Sequence, residues 1–326
     1  MTKKFKPLRG ALIDLDKVTW PMFMSPKLDG IRALVDREGV ISKNLLLLPQ
    51  PAVQRKFWHG ELAGLEGELI VGHPTDPDIY NTTMSFVMSK SEVAFKPEAP
   101  GTLGPYDSAQ TPCTFYVFDD VSIDPNTPFR ERLDAIRARV KALQQRGFAV
   151  EVVPQIFVGT KELAVELYER FLDDGYEGAI FRSPNGIYKY GQSTLNEGFM
   201  LKWKPKVDFT AQVLDVYESM ANNNEAVEDK LGHTKRSSHK ANKVGKGTLG
   251  GVVAKDLETG ETFRCGIFQG LKKADLQKLW DEHNSGVAPL IGRYFDAYKM
   301  GYGQKVRPRH PRWFRWRDAK DVSLPD

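Results

Sequence analysis

The sequence predicts an α+β protein of two domains: antiparallel sheets with flanking helices first, then a small β-barrel. Three observations carry that prediction. Strand-like alternation dominates residues 22–71 and 114–120. Two amphipathic helical stretches, residues 127–147 and 160–175, follow with one more strand between them. Past Lys206 the chain turns to short strands around a single helix, with excess basic charge. The domains are therefore expected at residues 1–207 and 208–326.

Composition narrows the class. The chain has 326 residues, 41% hydrophobic and 27% charged, enough for a sizeable core in each domain. No apolar run reaches the length of a membrane span, and the basic start, Met1-Thr2-Lys3-Lys4-Phe5-Lys6-Pro7, lacks a signal peptide's apolar stretch. Cys113 and Cys265 lie far apart in apolar surroundings and read as buried thiols, without zinc spacing or a disulfide framework. A cytoplasmic protein without a membrane partner is the expectation. Residues 1–208 carry 26 Lys and Arg against 27 Asp and Glu, whereas residues 209–326 carry 20 against 15. A near-neutral body with a basic end suits a polyanion, though solvated surface charge explains the balance equally well.

In chain order, residues 22–24 and 31–36 read as strands on either side of Lys27-Leu28-Asp29-Gly30-Ile31-Arg32. Lys27 then sits between a proline and a tight Asp-Gly turn, at a strand end. As a nucleophile it needs a pKa lowered by burial or cationic neighbours, and Arg32 is suited both to that and to holding a phosphate. Alone, the motif is better explained as a surface lysine near a turn. A turn at 37–39, a strand at 40–42 leading to Lys43, a short helix at 53–62 and a strand at 65–71 follow. Glu68 lies within that last strand, opposite in face to Leu69, and needs a partner if buried. Residues 72–112 read as a long insertion with a weak helix at 82–88.

Residues 114–120 alternate so that Tyr116 and Phe118 share one face, Phe115 and Val117 the other. Thr127 is expected to cap a helix with Pro128 at its first position and Leu133, Ile136, Val140 and Leu143 as its apolar stripe, ended by Gly147. A strand is expected at 150–157. Thr160 caps a second helix with Leu163, Leu167 and Phe171 inward, ended by Gly175. Glu177 begins the next strand. In the strand at 199–206, Lys202 and Lys204 share a face opposite Leu201 and Trp203. Neighbouring lysines repel unless an anion lies between them, which points to a phosphate site.

The second domain reads as a strand at 209–217, a polar, basic, mobile loop at 222–247, a hairpin at 248–254 and 261–266, a helix at 271–283 and a strand at 290–298. Short strands with one helix fit a barrel of the OB kind.

Taken together, these segments resemble the covalent nucleotidyltransferase superfamily, and within it the small ATP-dependent DNA ligases of the bacteriophage type. The resemblance rests on Lys27-Leu28-Asp29-Gly30-Ile31-Arg32, Ser42-Lys43, Glu66-Gly67-Glu68-Leu69, Phe115-Tyr116-Val117-Phe118-Asp119, Glu177-Gly178-Ala179-Ile180 and Leu201-Lys202-Trp203-Lys204-Pro205, in order. Gly247-Thr248-Leu249-Gly250-Gly251 and the stretch from Arg309 to Lys320 resemble the start and close of a ligase OB domain.

The resemblance implies an adenylation domain at 1–207, an OB-fold domain at 208–326, and ATP and Mg²⁺ as cofactors. It implies that Lys27 attacks the α-phosphate, with Lys202 and Lys204 offsetting charge in the transition state. Glu68 would bind ribose and Phe118 stack on adenine. Arg32 and Lys43 would contact ribose or phosphate, including the 5′-phosphate of a nick. Glu177, with Glu68, would hold the metal. Arg317 and Lys320 would orient pyrophosphate. Lys235, Arg236, Lys240, Lys243 and Lys246 would grip DNA, so that nicked duplex DNA is the partner of a monomeric enzyme. Three places differ from the family pattern: Ser25 stands where an acid is usual, Lys43 replaces an arginine and its bidentate fork, and Ala319 separates Asp318 from Lys320. An RNA ligase or mRNA-capping guanylyltransferase of the same superfamily shares these motifs. A non-catalytic OB-fold nucleic-acid-binding protein is the reading from another class.

Overall fold

The computed structural model describes residues 5–90, 112–240, 242–300, 308 and 310–322. The chain divides into two compact units, Met1–Lys204 with Lys230–Gly232, and Pro205–Asp229 with His233–Asp326.

In the first unit the strands are β1 (Ala11–Leu12), β2 (Met22–Pro26), β3 (Ile31–Asp36), β4 (Gly39–Ser42), β5 (Leu65–Val71), β6 (Cys113–Asp120), β7 (Val150–Val152), β8 (Ile156–Val158), β9 (Ala179–Arg182) and β10 (Leu201–Trp203). The helices are α1 (Pro51–Phe57), α2 (Ile79–Val87), α3 (Phe129–Gln145) and α4 (Lys161–Asp173). The strands form two five-stranded sheets, ordered β1-β10-β9-β2-β8 and β4-β3-β5-β6-β7. The first sheet packs with Tyr168 and Phe171 of α4 around Met24, Phe181 and Leu201. The second buries Leu69, Phe115 and Val117 against Val53 and Phe57 of α1, Phe86 of α2 and Ile136 of α3. The alternation read along residues 114–120 holds: Phe115 and Val117 are buried, and Tyr116 and Phe118 face the other way.

Several expectations are corrected. The single strand at 150–157 is two strands in different sheets. β7 runs parallel to β6, whereas β8 pairs antiparallel to β2. Pro154 lies between them, and without an N–H it cannot continue a ladder. Thr127 does not cap α3; Pro128 holds that position with no side-chain cap, and the Thr127 carbonyl accepts from Arg132 Nη1. The helix at 53–62 is α1 plus a separate 3-10 turn, Gly60–Leu62. Thr160 does cap α4 through the Leu163 N–H, yet Leu163 itself is exposed, and Ala164, Tyr168 and Phe171 are the buried positions. Of the expected insertion, residues 91–111 lie outside the described residues, as does Arg309 of the closing segment.

A buried ionic clamp joins the two sheets. Asp119 of β6 accepts from Arg132 Nε on α3 at 3.0 Å and from Arg182 Nη2 on β9. Asp119 and Arg132 are fully buried, and the Arg182 guanidinium lies 4.0 Å from the Phe129 ring centroid. Both arginines hold the Asp119 carboxyl below the ordinary carboxylate range, overcoming the opposing effect of burial.

The second unit contains β11 (Lys206–Asn222), β12 (Ala226–Glu228), β13 (Thr234–Arg236), β14 (Lys243–Asp256), β15 (Thr262–Cys265), α5 (Lys273–Asn284), β16 (Tyr294–Met300) and β17 (Arg312–Arg317). Five strands form an antiparallel sheet in the order β15-β14-β11-β16-β17 around Val252, Phe295 and Trp313. Its edge strands are brought together just beyond β15: Trp313 N–H donates to the Ile267 carbonyl at 2.9 Å, and Gln269 N–H to the Trp313 carbonyl at 2.8 Å. The loop expected at 222–247 instead contains a hairpin, β12 with β13, and the beginning of β14. Both faces of that hairpin are exposed, so no apolar alternation marked it.

Removing one partner from a buried ion network leaves the others uncompensated, at a cost of about 3–5 kcal/mol. Asp119→Ala is therefore expected to lower unfolding stability by about that amount in urea titration, and a loss below about 1 kcal/mol would rule out the clamp as a main tie between the sheets.

Candidate active site

A cleft of about 370 Å³ in the first unit is lined from both sheets. Six of its lining residues are cations, Arg9, Lys27, Arg32, Lys43, Arg182 and Lys202, and Glu68 is the one carboxylate among them. Apolar surface comes from Leu28, Phe118, Val153, Ile180 and Met200. A concave site lined by both apolar and cationic side chains suits a ligand that is part aromatic and part polyanion.

Lys27 follows β2 directly. Its N–H donates to the Gly178 carbonyl at 2.8 Å and its carbonyl accepts from Glu177 N–H at 3.2 Å, so backbone holds the residue across from Glu177. The approach needs glycine: Gly178 has φ +143°, and a Cβ there would lie 2.2 Å from the Trp203 carbonyl oxygen. A Cβ on Gly30 would likewise meet the Leu69 carbonyl oxygen at 2.3 Å, which explains the glycine of the Asp-Gly turn.

Glu177 is the hub. Its two carboxylate oxygens accept separately from Lys27 Nζ and Lys204 Nζ, and its side chain is 5% exposed. Burial would raise its pKa, but the two lysines hold it below the ordinary value. The expectation of a lowered pKa for Lys27 is corrected. Burial does push it down, but Glu177, Glu68 and Asp29 outweigh that and hold the ammonium form more strongly than usual. Lys204 behaves in the expected way: burial and the charge of Lys27 bring it down to about 8 despite Glu177. Lys202 is lowered by burial and by Lys27, with Arg9 and Lys43 adding to the effect. Unlike Lys27 and Lys204, Lys202 makes no ion pair among the described residues. Its direction follows from β10, where Leu201 is buried and Trp203 stacks on Tyr168 at 3.8 Å, leaving Lys202 on the cleft side.

On the opposite sheet, Arg32 lies beside Glu68 in register, yet its guanidinium bonds to Glu66 Oε1 through Nε at 2.9 Å and Nη2 at 2.7 Å. Glu66 is buried and also accepts from Tyr188 Oη at 2.7 Å. The same guanidinium sits 5.2 Å from the Phe118 ring centroid. Of the two aromatic residues sharing that strand face, Phe118 lines the cleft and Tyr116 does not. Glu68 is half-buried, and burial raises it to about 7 despite Lys27 and Arg32.

The structure thus gathers Lys27, Arg32, Lys43, Glu68, Phe118 and Lys202 around one cleft, with Glu177 and Lys204 joined to it through Lys27. Arg317 and Lys320 belong to the second unit, where Arg317 donates to Asp296 at 3.2 Å and Thr210 at 3.0 Å, and Lys320 is exposed. Lys235, Arg236, Lys240 and Lys246 are exposed and Lys243 is half-buried, all on or beside the β12–β13 hairpin; Arg236 also donates to the Asn224 carbonyl. Sequence reading missed Arg9, Gln155 and Arg182 in the lining and Glu66 behind it. The sequence named no carboxylate partner for Arg32; its register neighbour on β5 is Glu68, and side-chain reach takes its guanidinium to Glu66 two residues away.

Comparison with known proteins shows the family. The family model "ATP dependent DNA ligase domain" matches residues 13–204. DNA ligase 2 of the archaeon Methanosarcina mazei is 27% identical over 196 residues, covering 56% of this chain and 32% of that protein. The chain thus spans about a third of that relative's length. Among solved structures, Chlorella virus DNA ligase-adenylate superposes with a TM-score of 0.50 at 20% identity, over 96% of this chain and 99% of that one. A structure titled for DNA binding with a minimal scaffold by Lig E DNA ligases gives a TM-score of 0.65 at 20% identity, with 96% and 99% coverage. At that identity the likeness establishes the fold.

Glu68 supplies a pH test of the site. Its folded pKa of about 7 lies above the ordinary 4.5, so folding binds a proton between those values. The stability this contributes is fully present below 4.5 and is lost as pH rises through about 7. Glu68→Gln is expected to be more stable than wild type at high pH, by about 1–2 kcal/mol after allowing for solvent access, with the gap closing as pH falls toward 4.5. Urea titrations across that range measure it, and a pH-independent gap would show that Glu68 does not titrate there.

Proposed function

Because the chain belongs to the ATP-dependent DNA ligase family, we propose that it seals 3′-hydroxyl/5′-phosphate nicks in duplex DNA through a lysyl-adenylate on Lys27. The observation that carries this reading is the cationic cleft with Lys27 at its edge, braced by a buried carboxylate that it shares with Lys204.

In this reading the first unit is the adenylation domain and the second an OB-fold domain. Adenine stacks on Phe118 beside the apolar side chains, and ribose meets Glu68. The phosphates run along Arg32, Lys43 and Lys202. Lys27 starts as an ammonium and must lose a proton before it can attack. The oxygen already hydrogen-bonded to Nζ belongs to Glu177, which makes it the nearest acceptor. Attack then forms the Nζ–P bond and breaks the P–O bond to the β-phosphate. Pyrophosphate leaves with the electron pair, and the nitrogen gives up its second proton. Lys202 and Lys204 offset the charge that gathers on the α-phosphate oxygens. The phosphoramidate keeps AMP activated for transfer to the 5′-phosphate of the nick. The 3′-hydroxyl then displaces AMP and closes the strand.

Glu177 and Glu68 suit a hard cation. Among the described residues no cluster of three or more His, Cys, Asp or Glu forms a cage, so such an ion would complete its shell with phosphate oxygens and water, as Mg²⁺ does. Bound there, Mg²⁺ supplies positive charge against the departing pyrophosphate. In the second unit Lys235, Arg236, Lys240, Lys243 and Lys246 form the DNA-gripping surface, while Arg317 and Lys320 act on pyrophosphate in the first step. The protein works as a monomer.

Intact mass after incubation with ATP and Mg²⁺ tests the first step. Wild type stripped with pyrophosphate should gain one AMP, Lys27→Ala none, and nicked duplex should remove the AMP with sealing. An adduct from GTP alone would indicate capping chemistry, and no adduct on wild type would leave a nucleic-acid-binding protein. For the hairpin, Lys235→Ala and Lys240→Ala each take one cation away from the DNA phosphates. Either change should lower the slope of log affinity for nicked DNA against log salt by about 1. An unchanged slope would exclude those lysines from the DNA surface.

A further inference from the structure

Among the described residues, two buried polar atoms of the cleft lining have no hydrogen-bond partner, Arg182 Nε and the one acceptor, Gln155 Oε1. Gln155 lines the cleft, and its Oε1 is buried with no hydrogen-bond partner. Its Nε2 donates to the Val153 carbonyl at 3.4 Å, which leaves the carbonyl oxygen as the end without a partner. The β2–β8 register ends at Met24 with Ile156, and the next residue on each strand, Ser25 and Gln155, lines the cleft. Ser25 is buried and offers only a short hydroxymethyl group there, so the longer Gln155 side chain supplies the acceptor at this point of the lining.

We infer that Gln155 reads the 6-position of the purine, accepting from the 6-amino group of adenine and disfavouring 6-oxo purines. The inference rests on the nucleotide-binding reading of this cleft and names the residue that makes it selective. A buried acceptor without a partner is unfavourable until a donor arrives. Adenine presents an N–H donor at this position. Guanine and hypoxanthine present a carbonyl oxygen, which would leave two acceptors facing each other, and turning the amide over would break its contact with Val153. Discrimination at a polar subsite of this kind exceeds what an apolar pocket can achieve.

The test uses the full chain, stripped with pyrophosphate and supplied with Mg²⁺ and either ATP or inosine triphosphate at equal concentration. The rate of nucleotidyl-enzyme formation is read by intact mass. Wild type should prefer ATP by about 100-fold or more, and Gln155→Leu should narrow that ratio by about tenfold or more. Gln155→Glu keeps an acceptor at the same reach and should keep the preference for ATP, which separates loss of the acceptor from a disturbed fold. A Gln155→Leu ratio within about twofold of wild type would overturn the inference, as would equal use of both nucleotides by wild type. Loss of preference in both variants would overturn it too. Wild type that forms an adduct but fails these comparisons leaves the ligase reading standing, whereas no adduct with either nucleotide removes both.

Discussion

Everything in the first unit depends on holding two sheets at a fixed separation around a cleft. Apolar packing supplies a separate core for each sheet but does not by itself set the gap between them. The Asp119 clamp does, because one carboxylate on β6 is bonded to arginines on α3 and β9. Its members neighbour residues of the cleft. Phe118 precedes Asp119 on β6, and Ile180 and Arg182 both line the cleft from β9. A second buried network holds Glu66 of β5 to Arg32 of β3 within one sheet, and to Tyr188 in the segment after β9. Buried ion pairs are poor sources of stability compared with apolar packing. Their directionality, however, fixes where each strand must stop, and a cleft needs that more than it needs extra stability.

The same reasoning applies to charge. The lining has six cations and one carboxylate, an arrangement that repels itself unless an anion is present. Glu177 relieves part of this by neutralising Lys27 and Lys204 together. The consequence is a lysine that keeps its proton more firmly than usual, the reverse of what a standing nucleophile requires. In the proposed reading Lys27 therefore has to hand a proton to Glu177 before it can attack. In the proposed reading a polyphosphate enters beside Lys202 and Lys43, while Arg32 is already paired with Glu66.

Much of this was legible in the sequence because strands with one wet and one buried face alternate visibly. The elements at 31–36, 65–71 and 113–120 were readable on that ground, as was the side of β10 that carries Lys202. What failed had a different physical basis. The β12–β13 hairpin is exposed on both faces and has no apolar pattern to read. The pKa of Lys27 came out with the wrong sign because its governing carboxylate is 150 residues away in sequence, and only the pairing of β2 with β9 brings it near. Glu68 was legible as a site acid, but the partner of Arg32 was not, since side-chain reach rather than register chose Glu66.

The most instructive misreading is the strand at 150–157. As one strand it would belong to one sheet and line nothing. Pro154 cannot donate to a ladder, so the chain leaves one sheet there and joins the other. The crossing delivers Val153 and Gln155 to the lining of the cleft. Ser25 and Gln155, each next to the last paired residues of β2 and β8, both line the cleft, so in the proposed reading one strand can supply a contact group that the other lacks. Selectivity in such a site belongs to the pair of strands rather than to either sequence motif. A motif read along one strand will always miss that.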